Sequence, residues 1–473
     1  MTAQTILPAN SVTGGFEVAN SVRLDTNAYM HKTPSSSGNR KTWTVSVWVK
    51  GQPTTTTNNI AGNAIFSAGN AATDRTHFYF TNGIFEFRTE ISNTQQLITT
   101  NQVFIDPAAW YHIVVAVDST QSTDTNRVKI YANGVQITSF SAAAYLAEDA
   151  DTSVNHTVKQ YVGSSSWSAG SYFNGYMAEF VLLDGTAATP TSFGEFDEDT
   201  PSVWKPIAVS GLTFGTNGFY LNFKASGNLG NDANGGTDLT EVNLAAADQS
   251  TDTCQNNFAT WNPLRKHLAF TAAFTEGNTT VEHSQADQNQ SVFSTMAVST
   301  GKWYAEFQCS TDASNFAFGI ARINTTNDGG LDSYPSSLGG VAYFKDGKIK
   351  WYAGGDANSD LSATIAHTNI IGILFDLDNT RIHFYKNDTL VSGSGGFDYS
   401  VGTAVDGNIS QTTYYFAAGS SDGGTNPVIQ ANFGGSSGFA ISSGNADPDG
   451  YGNFEYATKG GYALCTKNLA EYG

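Results

Sequence analysis

One arrangement of residues occurs twice in this chain and constrains its fold more than any other feature. The run Trp110-Tyr-His-Ile-Val-Val-Ala-Val-Asp118 is almost continuously apolar. After a polar loop comes Arg127-Val-Lys-Ile-Tyr-Ala-Asn133-Gly134-Val-Gln-Ile137. Asn-Gly between two alternating segments is the strongest short-range signal for a tight β-hairpin, because both residues tolerate positive φ. The plan returns as Ile370-Ile-Gly-Ile-Leu-Phe-Asp-Leu-Asp378 and then Arg381-Ile-His-Phe-Tyr-Lys-Asn387-Asp388-Thr-Leu390. Each copy reads as a central strand, an Asp, a turn, an Arg-led strand, Tyr-x-Asn and a second turn. Two related antiparallel units are therefore expected, and no fixed short period suggests a solenoid or propeller.

Other segments agree. In Trp43-Thr-Val-Ser-Val-Trp-Val-Lys50, Trp43, Val45, Val47 and Val49 share one face, and Thr44, Ser46, Trp48 and Lys50 share the other. That alternation predicts a half-buried strand. The chain's 48 Gly suit turns, and its 30 Phe and 21 Tyr suit pleated surfaces. Helical periodicity is nearly absent, with one short turn at most over Leu244-Ala-Ala-Ala-Asp248. The fold class expected is all-β: two antiparallel β-sandwich domains in tandem. Residues 1–20 read as an N-terminal arm, 21–224 as the first sandwich, 225–264 as loop and linker, and 265–473 as the second sandwich.

The net charge of −19 sets up a field that repels nucleic acid, so no nucleic-acid partner is expected. No stretch approaches the roughly 18 apolar residues of a membrane helix, so no membrane insertion is expected. The N-terminus carries no secretory-signal pattern. Cys254, Cys309 and Cys465 lie far apart and form no CxxC pair, which supports neither zinc nor a disulfide framework. Folding in a reducing cytosol follows as the expectation.

Several segments resemble a known family. Ser21-Val-Arg-Leu-Asp25, the Asn39–Lys50 strand, Asp106–Asp118 and Phe173-Asn-Gly-Tyr-Met-Ala-Glu-Phe180 resemble a concanavalin A-like (LamG-like) jelly roll. This version looks like the one found in structural proteins of tailed bacteriophages. The second half is similar to a SPRY domain through Gly301-Lys-Trp-Tyr-Ala-Glu-Phe307, Phe318-Gly-Ile-Ala321, Ile371–Asn379, Ile382–Asn387 and Ala431-Asn-Phe-Gly434. Asn257-Phe-Ala-Thr-Trp-Asn-Pro-Leu264 and Gly461–Leu469 also look like segments of those phage proteins. The resemblance implies a virion structural protein (fibre, tip, or capsid or tail decoration) presenting both sandwiches for host-surface or glycan attachment. It implies other virion proteins as partners through the arm, a homo-oligomer (a trimer is the guess), and a place on the particle surface. The alternatives are a lectin-like module without a virion role, and a glycoside hydrolase or depolymerase.

No catalytic residue is assigned. Glu195-Phe-Asp-Glu-Asp199 has the alternating phase of a glucanase strand, but Asp199 is one methylene short and Pro190 and Pro201 flank it. A solvated loop is the expectation. Gly419-Ser-Ser-Asp-Gly423 and Gly434-Gly-Ser-Ser-Gly438 match G-x-S-x-G without the strand-then-helix context that a nucleophile needs. His112, His383 and Cys309 fall within strand patterns and read as structural. No cofactor is expected. Calcium is the one ion to weigh, because LamG-like domains sometimes hold it. Asp118 with Asp124, and Asn231-Asp232-Ala-Asn234, offer hard oxygens, though Asx turns account for them as well. The glycan-binding candidates are the loop aromatics Trp167 and Tyr334, with Trp351 expected to pack inward.

Overall fold

The computed structural model describes residues 15–473 except 26, 52–62, 166–170, 267–272, 284–289, 314, 323–339, 353–355, 361–362, 380, 392–398, 401–412 and 421–425. The fold is nearly all β, in antiparallel sheets, and the chain divides into two compact units at Gln255/Asn256.

Twelve strands frame the first sandwich. They are β1 Ser21–Leu24, β2 Tyr29–Lys32, β3 Thr42–Gly51, β4 Asn63–Ala71, β5 Asp74–Thr81, β6 Ile84–Ile91, β7 Thr94–Val103, β8 Tyr111–Asp118, β9 Val128–Ala132, β10 Val135–Gln136, β11 Gln160–Val162 and β12 Gly175–Asp184. One sheet runs β10-β9-β8-β3-β12-β1, the other β7-β6-β5-β4-β11-β2. Twelve more frame the second. They are β13 Thr280–Glu282, β14 Gln290–Val298, β15 Lys302–Cys309, β16 Phe316–Arg322, β17 Val341–Phe344, β18 Lys348–Tyr352, β19 Asp356–Asp360, β20 Ile371–Asp376, β21 Arg381–Lys386, β22 Thr389–Leu390, β23 Tyr414–Ser420 and β24 Val428–Asn432. Their sheets run β22-β21-β20-β15-β24-β13 and β19-β18-β17-β16-β23-β14. Adding twelve to each label of the first sandwich reproduces the second. Over these twelve strands the two units share one connectivity, and they differ in the short strands added at the sheet margins.

The repeated motif explains part of this likeness at atomic level. Asn133 and Gly134 take φ of 47° and 80°, and Asn387 and Asp388 take 46° and 67°, so both hairpins turn with two positive φ values. In each, the Asn clamps the start of the preceding strand. His112 N donates to Asn133 Oδ1 at 2.8 Å, and Asn133 N to the His112 carbonyl at 2.9 Å. Ile370 and Asn387 exchange the same two bonds at 2.9 Å each.

The inward faces form one core per sandwich. Trp43, Val45, Val47 and Val49 meet Phe66, Phe78, Phe85 and Phe87 in the first. Trp303, Ala305 and Phe307 meet Phe318, Tyr343 and Phe416 in the second. Strand β3 departs from the half-buried expectation, because Thr44, Ser46, Trp48 and Lys50 are also buried. Residues from 188 onward supply a third layer. Phe193, Val209 and Phe214 pack on Val114, Ala116 and Val181, while Trp204 and Val18 pack around Trp48.

The stretch 225–264 also differs from a loop and linker. Thr240–Val242 pairs with β2, Gln249–Ser250 pairs with β1, and Leu229 and Leu239 enter the first core. From the other side, Trp261 is fully buried in the second core, and Asn257 and Thr466 exchange bonds. Isolated apolar residues among Gly and Asn give no periodicity, so only tertiary partners reveal these short strands. The helix Thr466–Tyr472 was likewise unmarked by pattern; Leu469 and Tyr472 hold it against the second core.

Candidate functional site

The four rings of the first sandwich's most ligand-like surface come from two distant stretches of the chain. On β2 the period of two puts Tyr29 and His31 on the face opposite the buried Met30. On β11 Tyr161 lies directly across from His31, while its neighbour Val162 pairs with Met30 and faces the core. Tyr172 forms an antiparallel bridge with Ser164. Tyr29 lies 6.1 Å from His31, 5.9 Å from Tyr161 and 6.1 Å from Tyr172, and His31 lies 5.9 Å from Tyr161. All four rings are half-buried, so each keeps an open edge or face. The exposed Lys159 places Nζ 6.0 Å over the Tyr161 ring. Partial burial and the Lys159 charge both lower the His31 pKa, so the ring is neutral at pH 7 and completes an uncharged platform.

The same outward face continues across β5 and β6 as a polar strip. His77 pairs with Arg88 across the strands, Tyr79 with Glu86, and Arg75 with Glu90. Arg75 binds Glu90 through two bonds of 2.7 and 2.8 Å, and Arg88 Nε adds a third at 2.6 Å. Tyr79 Oη donates to Glu86 at 2.6 Å. Burial and the two guanidinium groups hold His77 well below the usual histidine range. Glu86 and Glu90 are four residues apart on one extended strand, about 13 Å at ~3.3 Å per residue. A retaining glycosidase needs its carboxyl groups within about 5–5.5 Å, and an inverting one within about 6.5–9.5 Å. Arg75, His77, Tyr79 and Glu90 are buried at 5% exposure or less, which leaves Glu86 and Arg88 as the strip's part-exposed polar groups, and its acids do not form such a pair.

A second polar group lies beneath the third layer. Ser46 Oγ and His112 Nε2 are 2.8 Å apart, which outwardly matches a nucleophile and its base. Trp204 Nε1 lies 2.9 Å from His112 Nδ1. Indole can only donate, so Nδ1 accepts and the ring proton sits on Nε2, pointing at Ser46. His112 is therefore the donor to Ser46 and has no free lone pair for its proton. Burial takes its pKa down to about 3, and Trp48 stacks on it at 4.8 Å. Beside this pair, burial pushes Glu179 up to about 7, and its carboxylate accepts a bond from the Tyr220 hydroxyl.

Glu195 stands on a short strand, Gly194–Phe196, paired with Trp204–Pro206, rather than in a solvated loop. The Trp204 indole packed on Phe196 explains the extra order. Lys205 Nζ bridges Glu195 and Asp197 at 3.3 Å each, and Asp197 Oδ1 accepts the Asp199 and Thr200 N–H groups. These acids organise a turn. The Gly434–Gly438 motif follows β24 with no helix after it, and most of Gly419–Gly423 lies outside the described residues. Asp118 spends its oxygens on Thr42, Thr120 and Gln121, Asp124 takes the Thr125 N–H, and Asp232 Oδ1 takes the N–H groups of Tyr220 and Asn234. Among the described residues no group of three or more His, Cys, Asp or Glu converges on a metal position. Trp167, Tyr334 and the Trp351 side chain lie outside the described residues. The platform of Tyr29, His31, Tyr161 and Tyr172 escaped the sequence reading. The Tyr-x-His alternation from Tyr29 to His31 was its one visible signal.

Residues 24–191 match a laminin G family described as the concanavalin A-like lectin/glucanases superfamily. The first sandwich is a concanavalin A-like lectin/glucanase-type domain, a class compatible with carbohydrate binding. Among solved structures, the SPRY domain of human HERC1 is similar at 14% identity, covering 36% of this chain and 96% of that one, with a TM-score of 0.28. Domains LG4-5 of the mouse laminin alpha1 chain are similar at 10% identity, covering 90% and 85%, with a TM-score of 0.30. The heptameric SAP-like pentraxin of Limulus polyphemus is similar at 13% identity, covering 37% and 80%, with a TM-score of 0.26. No curated protein matches the chain.

Proposed function

We propose that this chain is a non-catalytic display protein whose first sandwich binds a saccharide on the outward face of β2, β11, β5 and β6. The observation that carries the reading is the half-exposed cluster of Tyr29, His31, Tyr161 and Tyr172. Flat rings pack against the C–H faces of a sugar, and the part-exposed Arg88 and Glu86 nearby supply hydrogen bonds for its hydroxyls. The occupied carboxylates of the strip and the reversed polarity of the Ser46–His112 pair support binding over turnover. A glycan array with the full chain tests this. Retention of at least one glycan, weakened by Tyr161→Ala, is expected; binding that Tyr161→Ala leaves untouched would overturn the site.

The setting we propose is a tailed-phage particle, as a homotrimeric fibre, tip or decoration protein. Its support is the resemblance of segments such as Asp106–Asp118, Asn257–Leu264 and Gly461–Leu469 to phage structural proteins. Immunogold labelling of purified virions decides it. Particles that lack the protein would leave a free lectin-like module as the reading.

A further inference from the structure

Lys50 and Asp252 meet in the third layer of the first unit. Lys50 Nζ lies 2.7 Å from Asp252 Oδ2, and the two side chains are 2% and 1% exposed. Every other Lys–carboxylate pair among the described residues has its Lys side chain at least 22% exposed. The housing is aromatic. Lys50 Nζ sits 5.5 Å over the Tyr176 ring, and Trp110 packs 6.3 Å from Tyr176. Trp110 Nε1 donates to Asp252 Oδ1 at 3.0 Å, while Ser21 Oγ holds the Asp252 carbonyl at 2.6 Å. One carboxylate oxygen thus takes the Trp110 N–H, and the other faces the amine.

We propose that Lys50 and Asp252 condense into an intramolecular amide cross-link. Burial of a charged pair is costly, and passing one proton from Nζ to Oδ2 removes both charges. The products are a nucleophilic amine and an electrophilic carboxylic acid in contact. Nζ attacks Cγ, and the negative charge develops on Oδ1, where the Trp110 N–H already points. Collapse breaks the Cγ–Oδ2 bond. Oδ2 leaves as water with the proton received first and a second from the attacking nitrogen. The balance is one ammonium and one carboxylate giving one secondary amide and one water. No oxidant or co-reactant enters.

The bond would tie β3 to the last segment of the unit, across 202 residues of chain. Such a closure restricts the unfolded ensemble strongly. Arg75–Glu90, also buried, cannot react this way because guanidinium keeps its proton.

The test is the intact mass of the purified full chain under denaturing conditions, followed by peptide fragmentation. A species lighter by one water is expected, with a branched peptide joining Lys50 to Asp252. Lys50→Arg keeps the charge and should restore the unlinked mass. A natural chain at full sequence mass after long incubation, with Lys50 and Asp252 in separate peptides, would overturn the proposal. That outcome needs no variant to fold. It is also independent of any sugar bound on the opposite sheet.

Discussion

The outer faces of two corresponding sheets show how one connectivity can serve two ends. In the first sandwich, the face of β2, β11 and β6 keeps Tyr29, His31, Tyr161, Arg88 and Glu86 part-exposed, while Tyr79 and His77 on β5 are buried. In the second, the matching strands β14, β23, β16 and β17 carry Phe293, Ala417, Ala317, Ala321, Ala342 and Phe344, all at 7% exposure or less. Phe293 lies opposite Ala417 on β14 and β23, just as His31 lies opposite Tyr161 on β2 and β11. Large amphipathic rings with polar edges leave a face that can stay wet and bind. Alanine and phenylalanine make a face that must be covered. The difference lies in the outward residues of each strand, since the inward ones are alike.

The opposite sheets offer a second contrast, since each buries a glutamate on its outward side. Glu306 accepts from Tyr304 Oη, Asn432 Nδ2 and the N–H groups of Glu455 and Tyr456, at 2.8–3.2 Å. Glu179, at a bulge in β12 with φ of 51°, has the Tyr220 hydroxyl on one oxygen and no bonded partner on the other. The first is a four-way clamp on the C-terminal segment; the second is a strained acid with little to hold.

The largest expected effect tests the covered face. Phe293→Ala should cost about 3 kcal/mol or more of second-unit stability in denaturant titration, with glycan binding unchanged. Glu306→Ala should cost about 3 kcal/mol, because it strands two backbone N–H groups and two side-chain donors. Glu179→Gln should cost under about 1 kcal/mol on the same measure, and equal losses for the two would erase the contrast. Tyr161→Ala should weaken glycan binding by roughly tenfold, about 1.4 kcal/mol, with thermal stability within a few degrees of the parent.

The smallest effect is a pH slope. Burial raises Glu179 to about 7, so the folded state holds that proton more tightly than the unfolded chain does. Its contribution is full below the unfolded value near 4.5 and is lost as pH rises through 7. The first unit should therefore melt at a lower temperature at pH 8 than at pH 5, and Glu179→Gln should flatten that slope. A slope unchanged by the substitution would remove Glu179 as its cause.

Local pattern carried the fold a long way. Alternation from Trp43 to Lys50, the apolar runs before Asp118 and Asp376, and the turns at Asn133-Gly134 and Asn387-Asp388 each depend on residues close in sequence. They specify strands, hairpins and the kinship of the two halves. The allegiance of 225–264 was not legible, because Leu239 and Trp261 become core only when β2 and the second sheet pack against them.

The candidate site was hidden for the same reason. Tyr29, His31, Tyr161 and Tyr172 come from distant segments, and the period of two states only that His31 and Met30 face opposite ways. The sequence by itself determined an all-β chain with two related sandwiches and one buried face per strand. The tertiary structure decided which outward faces a third layer covers, as it covers Lys50 and Ser46, and which stay open, as Tyr161 does. A strand encodes its own alternation locally, whereas its second face is set by whatever distant segment is placed over it.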